Sequence, residues 1–394
     1  MNPRTRHSPC PACGATEIWV FFEIAETPTH VNFLSHTAEE ARNCTRGDIR
    51  LGFCETCGLI TNVAFDEALL EYREGYENSL HFSSVFQSYA AQLADDLVER
   101  HDLHGKDIVE VGCGRGDFLY MLCDRGGNRG VGFDPSHTSP PAGASNAEVS
   151  FVRDLYSEQY ANYDADFICS RQTLEHVRNP KDLLTPIRRS IGDRMTTAVF
   201  FEVPNGAYTL RNAFVWDIIY EHTTYFTRAA LERAFRVAGF AVQKAYETFD
   251  GQYLCVEATP SEEPDSDLPT AEVIEGMRSE ITDFRAKYDS YVTSWRKRMD
   301  RLQQEGTRVA VWGAGSKGIT FLNSFDLDGW IRYVVDVNPN KHGMFVAGTG
   351  HRIVPPEHVV TEPVDVIVVV NPIYQDEIKG QVSSLGLDPE MICL

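Results

Sequence analysis

Two adjacent glutamate–histidine pairs carry the side chains best suited to proton transfer. Glu175-His176 follows the fourth predicted strand of the central segment, and Glu221-His222 follows a Val-Pro-Asn segment. Histidine is the usual general base near neutral pH, and a carboxylate can orient a neighbouring side chain. The pattern favours His222 as a base, with Glu221 as an orienting group. For any single histidine, the alternative is a surface or hydrogen-bonded structural role.

Two CxxC pairs account for four of the ten cysteines and have the spacing of metal ligands. These cysteines are Cys10, Cys13, Cys54 and Cys57. A glycine follows each pair, where a knuckle turn needs a permissive backbone. Four thiolates fill the tetrahedral shell of Zn²⁺, so the metal would be structural. Forty residues separate the pairs, and we expect this insertion to loop out. The alternative is two unrelated pairs of reduced thiols.

A glycine loop behind an acidic strand end predicts a cofactor-binding fold. Three glycines at alternate positions let the backbone pass close to a ligand at the N-terminus of the following helix. Asp134 closes the second strand, 20 residues past Gly114, where a carboxylate can accept ribose hydroxyls. The glycine spacing is not that of an NAD fingerprint, and a domain for some other nucleotide is the alternative. The predicted cofactor-binding residues are Glu110, Gly112, Gly114, Gly116, Asp134, Asp154 and Gln172.

These glycines and strand-end acids resemble those of the class I S-adenosylmethionine methyltransferases. The resemblance implies that Glu110 lies near the methionyl end of the cofactor, that Asp134 binds the ribose and that Asp154 approaches the adenine amine. It also implies an α/β fold with a Rossmann-like sheet. An N-terminal zinc-binding domain and a small C-terminal α/β domain would flank that sheet.

The chain as a whole resembles the sugar C-methyltransferases that act on nucleotide-linked ketosugars in deoxysugar and antibiotic biosynthesis. The order of four parts carries the resemblance: a four-cysteine domain, a domain with Leu-Glu-His-Val and Val-Pro-Asn, a Glu-His-x-x-Tyr-Phe segment and a C-terminal Rossmann-like domain. In that family a base removes a proton next to the ketone, and the resulting enolate carbon is methylated. His222 matches the base and Glu221 its acidic neighbour. His176 matches a histidine beside the sugar, and Tyr76 matches a tyrosine near the enolate oxygen.

One tetrapeptide departs from the family pattern. The family usually has Tyr-His-Glu-His where this chain has Ile219-Tyr220-Glu221-His222. We include Tyr220 among the candidate catalytic residues because it occupies the place of the first histidine. The departure leaves open an O- or N-methyltransferase for another small molecule. A non-catalytic, zinc-stabilised nucleotide-binding module is a further alternative.

The last segment contains a second glycine loop. Residues 267–304 have the composition of a long, charged, solvent-facing helix. The loop from Gly313 to Gly318 then follows a strand in a GxGxxG pattern, which by itself is typical of NAD binding. The remaining length has room for about four strands, so we expect a small domain. The resemblance suggests that it holds the diphosphate of the substrate, with Lys317 as a phosphate contact. A structural remnant and true NAD use are the alternatives.

Length and charge limit the organisation of the 394-residue chain. We expect a zinc-binding domain (1–80), a methyltransferase domain (81–265), a linking helix (266–305) and a C-terminal domain (306–394). Apolar spacing also predicts a helix over 83–101. The net charge of −21 argues against nucleic-acid or membrane partners. No apolar segment suggests a secretory leader or a membrane span, so we expect a cytoplasmic monomer or homodimer.

An anionic nucleotide sugar would have to enter an acidic protein. We therefore expect a locally basic or amide-lined pocket. The predicted substrate-binding residues are Asn205, Arg171 and Lys317, and Arg211 is a further candidate for the pocket wall.

Overall fold

The computed structural model describes residues 9–70, 76–77, 79–141, 145, 147–161, 163–325, 327 and 329–394. The stretch Met1–His7, in which we saw no leader, lies outside these ranges. The strands are β1 (Trp19–Pro28), β2 (Arg46–Phe53), β3 (Ile60–Asn62), β4 (Asp107–Val111), β5 (Arg129–Phe133), β6 (Val149–Val152), β7 (Phe167–Arg171), β8 (Ala198–Pro204), β9 (Thr224–Tyr225), β10 (Phe240–Thr248), β11 (Tyr253–Pro260), β12 (Val309–Trp312), β13 (Ile331–Val335), β14 (Ile353–Val354), β15 (Val366–Val369) and β16 (Glu390–Cys393). The α-helices are α1 (Ala38–Arg42), α2 (Ser84–Arg100), α3 (Asp117–Gly126), α4 (Lys181–Ile191), α5 (Gly206–Asn212), α6 (Arg228–Val237), α7 (Ala271–Gln304), α8 (Ser316–Asn323), α9 (His358–Thr361) and α10 (Gln375–Ser384).

An antiparallel sheet of four strands, in the order β1-β2-β3-β9, is built mainly from the segment between and just after the cysteine pairs. The expectation that this insertion loops out is wrong. Phe22, Ile49 and Leu51 are buried on these strands, and their burial favours a paired hairpin over an open loop. β9 follows directly after His222, so this sheet also holds the segment that carries the second glutamate–histidine pair.

The central sheet has seven strands in the order β6-β5-β4-β7-β8-β11-β10. β11 runs antiparallel to both of its neighbours, whereas the other six strands share one direction. β7 and β8 are buried apolar runs, as parallel strands covered on both faces require. This is the α/β sheet expected for a class I methyltransferase. The chain reverses its order between β4 and β7, and ligands of such sheets bind at the carboxyl ends of the strands there.

Helix α7 is a packing element as well as a connection. Its 34 residues span about 51 Å at 1.5 Å per residue. We expected a solvent-facing helix, but seven residues along it are buried: Ile274, Met277, Ile281, Phe284, Trp295, Met299 and Leu302. Phe284 packs edge-on against Phe22, with the ring centroids 5.4 Å apart. The charged residues therefore occupy only one face of the helix.

A third sheet, near the C-terminus, consists of five parallel strands in the order β14-β13-β12-β15-β16. It has one strand more than we expected, because the last described residues pair with β15. A single apolar cluster joins this sheet to α7 and to the first sheet, including Phe22, Ile49, Phe284, Val311 and Val366. Among the helices of the described ranges, none combines the length and hydrophobicity that crossing a bilayer requires.

Candidate active site

The four cysteines of the CxxC pairs form one cluster. Their Sγ atoms all lie within 4.8 Å of one another, and the Cys10–Cys57 and Cys13–Cys54 distances are both 3.6 Å. Thiolates placed 2.3 Å from a tetrahedral Zn²⁺ are separated by about 3.8 Å, whereas a disulfide would bring two sulfurs to about 2.05 Å. The geometry therefore fits a metal and excludes a disulfide.

The two cysteine turns share the same backbone hydrogen bonds. The Gly14 amide donates to the Cys10 carbonyl and the Gly58 amide donates to the Cys54 carbonyl, each over 2.8 Å. Both glycines have left-handed backbone angles, with φ of +76° and +78°. Such angles favour glycine, which explains why a glycine follows each pair.

The first glycine loop packs tightly between β4 and α3. The Gly112 amide donates to the Phe133 carbonyl over 2.8 Å, and its φ is +73°. A Cβ atom at Gly112 would overlap Thr173 Oγ1, and one at Gly116 would lie 2.5 Å from the Phe151 ring. The loop therefore requires glycine for its close approach to neighbouring segments.

Two of the predicted cofactor acids flank this loop. Asp134 Oδ2 accepts from the Gly114 amide over 2.8 Å and keeps a further lone pair, whereas Oδ1 accepts from the amide and the hydroxyl of Ser136 over 2.7 and 2.6 Å. Glu110 is only 2% exposed, and its Oε2 has no hydrogen-bond partner within the described ranges. Burial, reinforced by Asp117 and Asp134 although opposed by Arg171, raises the pKa of Glu110 to about 8. An enclosed carboxyl with an unpaired oxygen fits a cationic group of a ligand.

The other two predicted cofactor residues lie at neighbouring strand ends. Asp154, two residues past β6, accepts from the Tyr160 hydroxyl over 2.6 Å, and this bond lowers the pKa of Asp154. Gln172 directly follows β7 in a left-handed conformation, with φ of +52°. Its side-chain amide donates to Glu202 Oε1 over 3.1 Å. All the predicted cofactor residues thus lie at one edge of the central sheet.

The two predicted histidines meet next to that edge. The His176 and His222 rings pack edge-on with their centroids 5.2 Å apart. His176 Nδ1 lies 2.9 Å from the Glu221 carbonyl oxygen, which can only accept. Nδ1 therefore carries the proton, and Nε2 of the neutral ring has the lone pair. His222 is 9% exposed, and burial together with His176 lowers its pKa to about 3.

Glu221 connects the histidines to the first sheet. Its Oε2 accepts from the Val31 amide over 2.9 Å, and its Oε1 lies 3.5 Å from His30 Nδ1. Burial would raise the pKa of Glu221, but the hydrogen bond from His30 and the nearby His176 outweigh it and lower the pKa. Glu221 thus orients His176 through its carbonyl and the segment at residue 30 through its carboxylate.

Tyr76 approaches the same segment from another direction. It forms a β-bridge with Phe33, and its hydroxyl accepts from Asn32 Nδ2 over 3.3 Å. The adjacent Glu77 accepts from the side-chain amides of Asn338 and Asn340, over 2.9 and 2.7 Å. The loop that carries Tyr76 therefore contacts the first sheet and the C-terminal sheet. Gly75 and Asn78, which flank this dipeptide, lie outside the described residues.

Tyr220 and Asn205 have structural contacts in place of the roles we expected. The Tyr220 hydroxyl donates to the Asp66 carbonyl and accepts from the Asp66 amide, and the ring is fully buried. The Asn205 side chain caps α5 by accepting from the Ala207 amide and also donates to the Gly251 carbonyl. Because these polar atoms already bind backbone, neither residue is placed to contact a substrate.

The cations predicted for a basic pocket are each paired with a carboxylate. These ion pairs are Arg171–Glu202 (3.0 Å), Lys317–Asp217 (2.9 Å) and Arg211–Glu247 (2.7 Å). Arg171 is buried, and its guanidinium carbon lies 4.3 Å from the centroid of the Phe118 ring. Nearby acids from distant segments therefore pair with all three of the side chains that we expected to line a basic pocket.

The acid that follows the second glycine loop is held by two backbone amides and lies near a buried lysine. Asp336, the acid that would bind ribose, accepts from the Ala314 and Asn338 amides over 2.8 Å each. The buried Lys341 ammonium lies 3.8 Å from the same carboxylate and donates to the Ala314 carbonyl. A Cβ atom at Gly318 would overlap the Gly313 carbonyl, so tight packing alone accounts for that glycine.

Sequence reasoning missed several residues of this site. His30 lies in the insertion between the cysteine pairs, and nothing in the sequence signals that it contacts a residue almost two hundred positions away. Asp217 lies in the same segment as His222, so its position five residues upstream was an available signal. Glu175 was noted only as the neighbour of His176, although it is 1% exposed.

Two family profiles match consecutive parts of the chain. Residues 86–245 match a methyltransferase domain, and residues 255–387 match a C-methyltransferase C-terminal domain. A search of curated proteins gave no match.

Solved methyltransferase structures resemble the central part of the chain at low identity. Magnesium protoporphyrin IX methyltransferase from Synechocystis PCC 6803 has 14% identity and a TM-score of 0.36, over 48% of this chain and 91% of that one. A Burkholderia thailandensis 1,6-didemethyltoxoflavin-N1-methyltransferase has 15% identity and a TM-score of 0.34, over 52% of this chain and 96% of that one. An S-adenosylmethionine-dependent methyltransferase from Mesorhizobium loti has 15% identity and a TM-score of 0.34, over 42% of this chain and 97% of that one. Similarity at this level says nothing about the acceptor.

The matched profiles and the central sheet lead to one conclusion about the activity. The first profile covers the glycine loop and the predicted histidines, and the second covers α7 and most of the C-terminal sheet. The chain is an S-adenosylmethionine-dependent methyltransferase, and its residues 255–387 match a C-methyltransferase C-terminal domain.

Proposed function

We propose that this enzyme methylates a carbon atom of a nucleotide-linked ketosugar in deoxysugar biosynthesis, through an enolate formed by a base. The observation that carries the proposal is the contact between the His176 and His222 rings, next to the cofactor edge of the central sheet. The match to a C-methyltransferase C-terminal domain supports carbon as the acceptor. The nucleotide sugar rests on the resemblance of the whole sequence to the sugar C-methyltransferases.

In this proposal His222 removes the proton next to the ketone. Asp217 and Glu221 favour the imidazolium that forms, because both are negatively charged and close to the ring. The Tyr76 hydroxyl donates a hydrogen bond to the enolate oxygen, a role that neutral His176 cannot fill because its Nε2 lacks a proton. S-adenosylmethionine supplies the methyl group. Alignment of the acceptor carbon by these side chains can lower the activation free energy of methyl transfer by about 7–11 kcal/mol at best.

In this proposal the cofactor binds at the same edge of the central sheet, and the metal binds at the cysteine cluster. Glu110 pairs with a cationic group at the methionyl end, Asp134 accepts the ribose hydroxyls, and Asp154 lies towards the adenine. Gln172 and the three glycines shape the pocket between them. The cysteine cluster holds a structural Zn²⁺, as its sulfur separations support.

The C-terminal sheet contributes to substrate binding in this proposal. The N-terminus of α8 presents backbone amides, which favour an anionic diphosphate. Lys317, in the first turn of that helix, is 15% exposed and already paired with Asp217, so it contributes less than a free cation would. We expect the reaction to take place in the cytoplasm, with the enzyme as a monomer or homodimer.

Product analysis tests the proposal. The enzyme would be incubated with S-adenosylmethionine carrying a ¹³C methyl group and a panel of nucleotide-linked ketosugars. We expect the transferred methyl to show the NMR shift and couplings of a methyl group on carbon. A methyl group on oxygen or nitrogen would contradict the proposal and support the alternative class of methyltransferase.

A further inference from the structure

Three side chains of the candidate active site have the arrangement of metal ligands. Glu175, His176 and His222 each offer one ligand atom, and these atoms lie within 4.8 Å of one another. The trio is separate from the cysteine cluster. Two imidazole nitrogens and one carboxylate oxygen are typical of sites that bind a divalent transition metal and keep a position open.

Glu175 supplies an independent observation. Its carboxyl is 1% exposed, and Oε2 has no hydrogen-bond partner within the described ranges. A buried carboxyl oxygen without a partner is costly in free energy. A cation held at this oxygen would remove that cost.

The histidine next to it is oriented as a ligand. The Glu221 carbonyl binds His176 Nδ1–H over 2.9 Å, which leaves the lone pair on Nε2, 4.0 Å from Glu175 Oε1. Metal-binding histidines commonly donate their second ring nitrogen to a carbonyl or carboxylate in this way. The Lys317 ammonium, a nearby cation, is neutralised by its ion pair with Asp217.

Hydrogen bonds fix the backbone that carries the three ligands. The Thr223 amide and hydroxyl both donate to the Glu175 carbonyl, over 2.9 and 3.1 Å. The Thr224 hydroxyl donates to the Val177 carbonyl over 3.1 Å. The turn with Glu175 and His176 is therefore tied to the residues that follow His222, so little rearrangement is needed to bring the ligands to one ion.

We propose that Glu175, His176 and His222 form a second metal site, which takes a divalent first-row ion such as Co²⁺ or Zn²⁺. An ion there would use the lone pair of His222. It would therefore inhibit the enzyme reversibly, a consequence that rests on the proposed role of His222 as the base. Binding of the ion itself does not depend on that role.

Cobalt spectroscopy tests the site without measuring methyl transfer. The chain is first loaded with one equivalent of Zn²⁺ for the cysteines and then titrated with Co²⁺. We expect one further equivalent to bind, with d–d absorption bands but without the charge-transfer bands of cobalt–thiolate bonds. Glu175→Gln and His176→Asn should each weaken this binding at least about tenfold. His104→Asn, which changes an exposed histidine, should leave it unchanged.

Failure of the metal site and failure of the proposed reaction give different results. No uptake beyond the cysteine site, or uptake that is equally strong in both ligand variants, would overturn the proposed site. Two variants are used because Glu175 is enclosed, whereas His176 is partly exposed and its replacement is better tolerated. If Co²⁺ binds as expected but the product lacks a methyl group on carbon, the metal site stands and the proposed reaction does not.

Discussion

The carboxyl of Glu110 lies inside the central sheet, one of its oxygens has no partner among the described residues, and burial raises its pKa to about 8. A cationic group of the cofactor would favour the ionised form and so lower this pKa. Binding should then release a proton below about pH 8, and affinity should increase as the pH rises towards that value, by up to about tenfold per unit. Calorimetry with S-adenosylmethionine between pH 6 and 9 would measure both effects.

Glu110→Gln provides the matched control, because the amide keeps the shape and cannot ionise. We expect weaker binding by this variant and a loss of the pH dependence. The same slope in the wild type and the variant would show that another group is responsible.

The residues whose grouping could be predicted from the sequence are those whose geometry depends on local spacing. The cysteines and the glycine loop belong to this class, because a short stretch of chain fixes their geometry. The ion pairs of Arg171 and Lys317 could not be predicted, because their carboxylate partners come from distant segments. The contacts of Tyr220 and Asn205 could not be predicted either, because backbone groups elsewhere in the fold satisfy their polar atoms. Burial and pairing of this kind cannot be obtained from a single sequence.

At the scale of elements, α2 followed from apolar periodicity, and β4, β5, β6 and β7 followed from apolar segments that end at the predicted cofactor residues. The strands β8, β10 and β11 were not predicted. The predicted helix over 83–101 is observed at Ser84–Arg100, where the Ser83 hydroxyl accepts from the Phe86 amide and starts the helix. The packing of α7 could not be predicted in the same way, because its many charged residues obscure a narrow apolar face.

Replacement of Phe284 measures how much the apolar face of α7 contributes to the stability of the fold. Phe284 is fully buried between α7 and the first sheet, so Phe284→Ala should lower the free energy of unfolding by about 3–5 kcal/mol. Asp283→Ala, at the exposed neighbouring position, should change it by less than about 0.5 kcal/mol. Chemical denaturation of both variants gives the comparison. If both substitutions lower the free energy of unfolding by equally small amounts, α7 only connects the domains and does not stabilise the fold.

At the scale of the whole molecule, the active site depends on three sheets. The first sheet contributes His30 and Val31, which follow β1, and His222, which precedes β9. The central sheet contributes His176 after β7, and the C-terminal part contacts Glu77 and holds Asp217 through Lys317. The sequence indicated the order of the parts. The resemblance implied that they share one substrate site, but the sequence did not indicate which side chains join them, because every contact between them joins distant residues.

The Lys317–Asp217 ion pair tests this coupling. Both side chains are mostly buried, so Lys317→Met should destabilise the protein by about 3 kcal/mol by leaving a buried charge unpaired. Adding Asp217→Asn should restore part of that loss, with a coupling energy of about 1–3 kcal/mol. Denaturation of the four proteins of the cycle measures it, and a coupling near zero would contradict a close contact between the two parts.

Hydrogen exchange at the acceptor carbon tests the central claim most directly. The enzyme, S-adenosylhomocysteine and the nucleotide-linked ketosugar that it methylates would be incubated in D₂O. We expect deuterium next to the ketone with the wild type and with His104→Asn, and about 10²–10⁴-fold slower exchange with His222→Asn at unchanged cofactor affinity. Methyl transfer by a wild-type enzyme that shows no exchange above the protein-free rate would contradict the account.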